Sequence, residues 1–201
     1  RTAYLDTIYR LTMAAEYRDE DTASHLKRMS SYCRFMAQEM AMPGDFVDVI
    51  FYAAPMHDIG KIGIPDAILL KPACLSTEEF ELAKTHTTIG AKILQGSESV
   101  ILQMAETIAL NHHEKWSGVG YPQGLAGEAI PIEGRILALV DQYDSLRSRR
   151  PYKEAFPHDR VISIITEGDG RTMPDNFDPE ILRIFQRRES EFKRIFEEEL
   201  A

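Results

Sequence analysis

Five of the six histidines and three aspartates of this 201-residue chain stand where they could do chemistry together. Asp21 and His25 are four residues apart, which on a helix puts them on one face. His57 and Asp58 are adjacent at the end of an apolar stretch, where two polar neighbours are costly to bury without partners. His86 follows shortly after Lys84, His112 and His113 are tandem at the end of another apolar stretch, and Asp141 interrupts the apolar run begun at Ile136. Imidazole with carboxylate is the ligand set of zinc, iron or manganese rather than of calcium or magnesium. Taken singly, each residue has a plainer reading: a core histidine satisfied by a carbonyl, Asp21 as a helix cap, Asp141 paired with an arginine. Taken together, a metal cluster is the cheaper account.

His25, His57, Asp58, His86, His112, His113 and Asp141 are too many donors for one tetrahedral ion. They suit two six-coordinate ions sharing Asp58 as a bridge, an arrangement able to activate water and clamp a phosphoryl oxygen. A zinc-protease site is disfavoured, because His113-Glu114 is followed by Ser117 where HExxH needs a second histidine. The nearby cations point to phosphate. Lys61, four residues after His57, is expected on the same helical side, and Arg150 and Lys153 flank Pro151-Tyr152. Arg is the fork for phosphate oxygens and Lys the point charge.

The elements that must position these residues are mostly helical. Three- and four-residue apolar spacing predicts helices over Tyr4 to Tyr17, Ala23 to Met42 and Val100 to His112. A third stripe from Phe46 to Ala54 leads into His57-Asp58, with Pro55 expected to bend it. Ser76 and Glu79 form a capping-box pattern opening a helix toward His86. The run from Arg135 to Val140 is read as helix rather than strand, because its pattern continues through Tyr143 and Leu146 and Pro151 closes it. Pro179 to Leu200 is read as one charged helix, either packed on the core or forming a homodimer seam, and His158 as a helix-start surface residue without a role. Between residues 115 and 131 lie Gly118, Gly120, Pro122, Gly124, Gly127 and Pro131, a long structured loop of the kind that carries function. The expected fold is all-α, a helical bundle with a long Gly/Pro-rich loop, in one domain over residues 1–201.

Composition narrows the class. With 44% hydrophobic and 27% charged residues the chain is an ordinary globular one. Thirty-two acidic against 23 basic groups, a net charge of −9, argue against nucleic-acid polymers, which need a basic face. A small phosphate ligand remains open, with metals or local Lys and Arg supplying positive charge. Cys33 and Cys74 have no CxxC spacing and read as reduced thiols of a cytoplasmic protein. No apolar run approaches the roughly 20 residues of a membrane span. The chain opens on Arg1 and is read as a piece of a longer protein.

HDIGK at 57–61, HHEKWSGVGYPQGLAGEAIP at 112–131 and DQYDSLRSRRPYK at 141–153 resemble the HD-GYP family, a branch of the HD phosphohydrolase superfamily. Gly120-Tyr121-Pro122 is the signature, and the similarity runs from about Tyr4 to Phe196. The resemblance implies an HD-type helical bundle that hydrolyses the bacterial second messenger cyclic di-GMP to pGpG and, with a third ion, to GMP. It implies two or three divalent transition-metal ions, iron or manganese, on His25, His57, Asp58, His86, His112, His113 and Asp141. Asp21 stands where other members commonly have Glu for the third ion. Asp58 and Lys61 take the catalytic positions, and Lys61, Arg150, Lys153 and Tyr121 the substrate contacts. The GYP loop is expected to dock GGDEF-type cyclases, and an N-terminal receiver or sensor domain would couple through the helix from Leu5 to Tyr17. Smaller departures are Ala23-Ser24, where Gly is common, and Ser145, where Ala is usual. The other readings are a catalytically silent module binding cyclic di-GMP or a cyclase, and a phosphodiesterase for another cyclic dinucleotide such as cyclic GMP-AMP.

Overall fold

A computed structural model describes residues 2–16, 23–148 and 155–198. Their α-helices are α1 (Thr2–Glu16), α2 (Ala23–Glu39), α3 (Gly44–Ala53), α4 (Asp66–Leu69), α5 (Thr77–Lys84), α6 (His86–Leu94), α7 (Val100–Asn111), α8 (Ile132–Arg147), α9 (His158–Glu167), α10 (Pro179–Arg187) and α11 (Glu189–Glu198). No strand occurs among the described residues, so the expected all-α bundle is what forms.

The core lies where α2, α3, α7 and α8 meet. Met29, Tyr32, Cys33 and Met36 of α2 face Ile50 and Ala53 of α3, Ala105 and Ile108 of α7, and Leu137, Val140 and Tyr143 of α8. Helix α8 carries buried residues on several faces, which is why its sequence reads as a solid apolar run rather than an amphipathic stripe. The reading of 135–146 as helix holds.

Three local expectations change. Pro55 does not merely bend α3. At Ala54 the backbone passes directly from α-helix into a 3-10 helix spanning Ala54–Gly63, because proline lacks the donor that the next α-turn requires. The capping box at Ser76 forms, with the Glu79 amide 3.2 Å from Ser76 Oγ and the Ser76 amide 2.7 Å from the Glu79 carboxylate. Its helix stops at Lys84, however, and a separate helix begins at His86. The segment expected as one helix from Pro179 to Leu200 turns at Arg188 (φ −119°, ψ 21°). The turn folds α10 against α2 and α8 and α11 against α2, so Phe185 and Phe192 both reach the core, with their ring centroids 4.9 Å apart. Packing on the core is thus the arrangement this segment adopts.

His158 is not a surface residue. It is buried, with Nδ1 2.9 Å from the Tyr143 hydroxyl and Nε2 against the Glu189 carboxylate, joining the start of α9 to α8 and to the start of α11. Phe192 is the centre of this end of the core: it stacks on Tyr32 at 5.4 Å and meets Tyr143 edge-on at 5.5 Å. Phe192→Ala should therefore cost about 3–5 kcal/mol of stability, read as a lower urea midpoint at unchanged slope.

Candidate metal centre

The 3-10 helix is the platform of the site. It presents His57 and Asp58 inward, and its fit against α6 depends on Gly60, where an added Cβ would collide with the His86 carbonyl and the Gly90 amide nitrogen. Four imidazoles are then aimed by their Nδ1 atoms. His57 Nδ1 lies 3.0 Å from the Ala54 carbonyl, His86 Nδ1 2.7 Å from that of Ala83, and His112 Nδ1 3.1 Å from those of Ile108 and Ala109. His25 Nδ1 lies 2.7 Å from Asp144 Oδ2. With each Nδ1–H donating outward, each Nε2 turns a lone pair into the cluster.

The seven donors expected from the sequence come together in two groups: Asp58, His86, His112 and His113 in one, and His25, His57 and Asp141 in the other. Asp58 lies between them. Its Oδ1 is 3.2 Å from His86 Nε2 and 3.4 Å from His112 Nε2, while its Oδ2 is 3.4 Å from His57 Nε2. Asp141 Oδ1 lies 3.9 Å from His57 Nε2. One Asp58 oxygen thus faces each group.

These residues fit divalent cations. Asp58 Oδ1 is buried and accepts no hydrogen bond among the described residues, and the His86 and His112 Nε2 atoms facing it are only 3.5 Å apart. Three acceptors converging without a donor are unfavourable unless a cation lies among them. Burial lowers the pKa of His112 and drives that of His113 well down, which favours the neutral, ligating form. Burial alone would raise the Asp58 carboxyl, but the charge of the neighbouring Lys61 ammonium counters it and the group stays ionised, well below the usual range.

Lys61 departs from its expected place. In a 3-10 helix residues three apart eclipse, so Lys61 stands over Asp58 rather than His57, with Nζ 2.7 Å from Oδ2. Asp21, Arg150 and Lys153 lie outside the described residues.

Two residues at the site escape the sequence reading. Asp144 is buried, takes the His25 imidazole, and accepts from Arg28 Nε at 2.6 Å and Nη2 at 2.9 Å. Burial would raise its carboxyl, yet the Arg28 and His25 hydrogen bonds bring it down to about 2. The available signal is spacing: Asp144 is three residues after Asp141 and Arg28 three after His25, so each sits one turn on along its helix. Glu114 is the other. Its buried carboxylate accepts the Gln123 amide at 2.7 Å and the Leu125 amide at 3.0 Å, pinning the glycine-rich loop from inside. Gly120 lies so close to His113 and Glu114 that a Cβ would meet the His113 carbonyl oxygen at 2.5 Å. Tyr121, joined to Pro122 by a cis peptide bond, consequently stacks on His113 with ring centroids 4.8 Å apart and planes at 26°.

Residues 11–181 match the model of the HD domain family. A cyclic di-GMP phosphodiesterase of Thermotoga maritima is 45% identical over 202 residues, which cover 98% of this chain and 54% of that protein. The cyclic di-GMP phosphodiesterase response regulator RpfG of Xanthomonas campestris pv. campestris is 42% identical, covering 94% of this chain and 49% of its own length. The 3'3'-cGAMP-specific phosphodiesterase 2 of Vibrio cholerae is 36% identical over 93% of this chain and 35% of its own. Among solved structures, a cyclic GMP-AMP specific phosphodiesterase of V. cholerae (V-cGAP3) shares the fold with a TM-score of 0.68 at 19% identity, over 98% of this chain and 51% of that one. The chain spans about half the length, or less, of the relatives it matches. No described helix is long and apolar enough to cross a membrane.

Removing Asp144 takes away the buried carboxylate shared by the His25 ring and the Arg28 guanidinium. Asp144→Ala should weaken metal binding about 10–100-fold, measured by competition with a chelator of known affinity, and should destabilise the fold by about 3–5 kcal/mol.

Proposed function

We propose a function for this chain from one premise: it belongs to the HD domain family, in its HD-GYP branch. On that premise it is a metal-dependent phosphodiesterase that opens cyclic di-GMP to linear pGpG and, where a third ion is held, cuts on to GMP. The observation that carries this reading is Asp58, buried between two imidazole groups with one oxygen toward each. The names of the relatives supply the substrate class.

His86, His112 and His113 with Asp58 Oδ1 would hold one ion; His25, His57 and Asp141 with Asp58 Oδ2 would hold a second, and Asp21 would contribute to a third. Such ions, iron or manganese within what this donor set accepts, supply water activated near neutral pH and a Lewis-acid hold on a phosphoryl oxygen. In the overall reaction water oxygen bonds to phosphorus, the phosphorus–O3' bond breaks, and the 3' oxygen leaves with a proton, giving a 5'-phosphate. Lys61, poised on Asp58 at the rim of the site, binds a non-bridging phosphate oxygen and balances the charge that grows there in the transition state. Because it is in place beforehand, little reorganisation is needed. Arg150 and Lys153 are assigned the same role on the substrate phosphates from their sequence positions, and Tyr121 walls the site on the loop side.

The relative named a response regulator supports a receiver or sensor domain acting through α1 in the whole protein, which is then a cytoplasmic signalling enzyme. The exposed GYP loop, with Val119 70% exposed, supports docking of a GGDEF-type cyclase there. A second reading, hydrolysis of 3'3'-cGAMP, is favoured by the V. cholerae relative named for that substrate.

Supplied with Mn2+ or with Fe2+ under reducing conditions, the protein should convert cyclic di-GMP to pGpG faster than it converts 3'3'-cGAMP, with products identified chromatographically. Metal-loaded protein that binds cyclic di-GMP without turnover would overturn the enzyme reading. Asp58→Ala should abolish turnover and lower the metal content by elemental analysis, while circular dichroism stays helical. Wild-type rates in that variant would remove Asp58 from the mechanism.

A further inference from the structure

We propose that Phe80, Lys84 and Tyr121 form a nucleobase-stacking subsite at the mouth of the metal centre, where one purine of the cyclic dinucleotide lies against Phe80. The inference rests on the substrate class proposed above and goes beyond it by naming the surface that recognises the base.

Helix α5 buries none of its residues, and the apolar side chains it carries stand open, Phe80 at 49% and Leu82 at 43% exposure. Phe80 is not an isolated surface ring. Its centroid lies 6.3 Å from that of Tyr121, edge-on at 81°, and Tyr121 in turn stacks on His113. His113 is 4.0 Å from His112, centroid to centroid. A continuous series of rings thus runs from the donor cluster to solvent and ends on a half-open phenyl group. Lys84, four residues after Phe80 and so on the same side of α5, places Nζ 5.4 Å from the Phe80 centroid and 5.6 Å from that of Tyr121. Glu81 holds the ammonium at 2.6 Å. One cation spanning two ring faces fixes the angle between them, so the platform is organised before ligand arrives. An uncovered aromatic beside a phosphate-handling centre matches what a base offers, a flat π-face joined to a phosphate.

Stacking of this kind tolerates any base, because every base has a π-face. Phe80 therefore separates dinucleotides from simple phosphodiesters and leaves the choice between guanine and adenine to other contacts. Phe80→Ala should raise KM about tenfold, within the range stacked aromatics contribute, and by a similar factor for cyclic di-GMP and 3'3'-cGAMP. Phe80→Trp should restore KM, Phe80→Leu should not, and elemental analysis should find all three variants as metal-replete as the parent. An unchanged KM in Phe80→Ala, or full rescue by Leu, beside an active parent protein would sink the subsite alone. A parent protein that binds neither dinucleotide would sink the substrate reading and the subsite with it.

Discussion

A single buried carboxylate organises this protein. Asp58 sits among imidazole nitrogens that are themselves acceptors; among the described residues one of its oxygens takes no hydrogen bond, and Lys61 meets the other at 2.7 Å. An apolar core cannot tolerate such a group without compensation, since an ionised carboxylate removed from water loses several kcal/mol of solvation. The surrounding structure meets the conflict with geometry: it aims further donor atoms at the same space, where a cation would complete the balance.

Much of the architecture serves to hold that geometry. The change from α-helix to 3-10 helix at Pro55 sets the rotation at which His57 and Asp58 face inward and Lys61 eclipses Asp58. Three rings are oriented by backbone carbonyls and a fourth by Asp144, itself clamped by both donors of the Arg28 fork. These contacts cost little flexibility because they arise from helices already packed in the core. Tyr143 makes the point in one residue: it lies between Asp141 and Asp144 on α8, and its ring packs among Tyr32, Phe185 and Phe192 while its hydroxyl meets His158. The same helix that carries the Asp141 carboxylate of the cluster and the Asp144 carboxylate on His25 is thus anchored on its far side.

The loop of residues 115–131 shows how a long irregular segment becomes a wall. Glu114 satisfies two of its amides from within, Trp116 donates its amide to the Asn176 carbonyl at 2.8 Å, and Gly120 permits an approach to His113 that no side chain would allow. Tyr121 is left stacked on a donor imidazole with its surroundings open toward α5. An acidic protein can still handle anionic ligands here, because positive charge is local: Lys61 at the donor cluster and Lys84 at its rim.

The class of fold is legible in the amino-acid sequence, and so are seven imidazole and carboxylate groups that the fold brings together. Apolar spacing marks most helices, and His25, His57, Asp58, His86, His112, His113 and Asp141 stand out because tandem polar residues at the ends of apolar stretches demand a partner. Spacing along the chain cannot rank contacts across it, and there the tertiary structure decided. Only the folded chain divides the seven donors into two groups across Asp58, turns Lys61 onto Asp58, breaks the last helix at Arg188 and buries His158. The contacts of Asp144 with Arg28 and His25, of Glu114 with the loop amides and of Phe80 with Tyr121 are hidden for the same reason: they join residues at distances along the chain that no local period encodes. The physical cause is common to all of them. Helical periodicity is a property of neighbours in sequence, whereas orientation of a ligand ring or satisfaction of a buried charge is settled by whichever distant group the packed core brings within hydrogen-bonding reach.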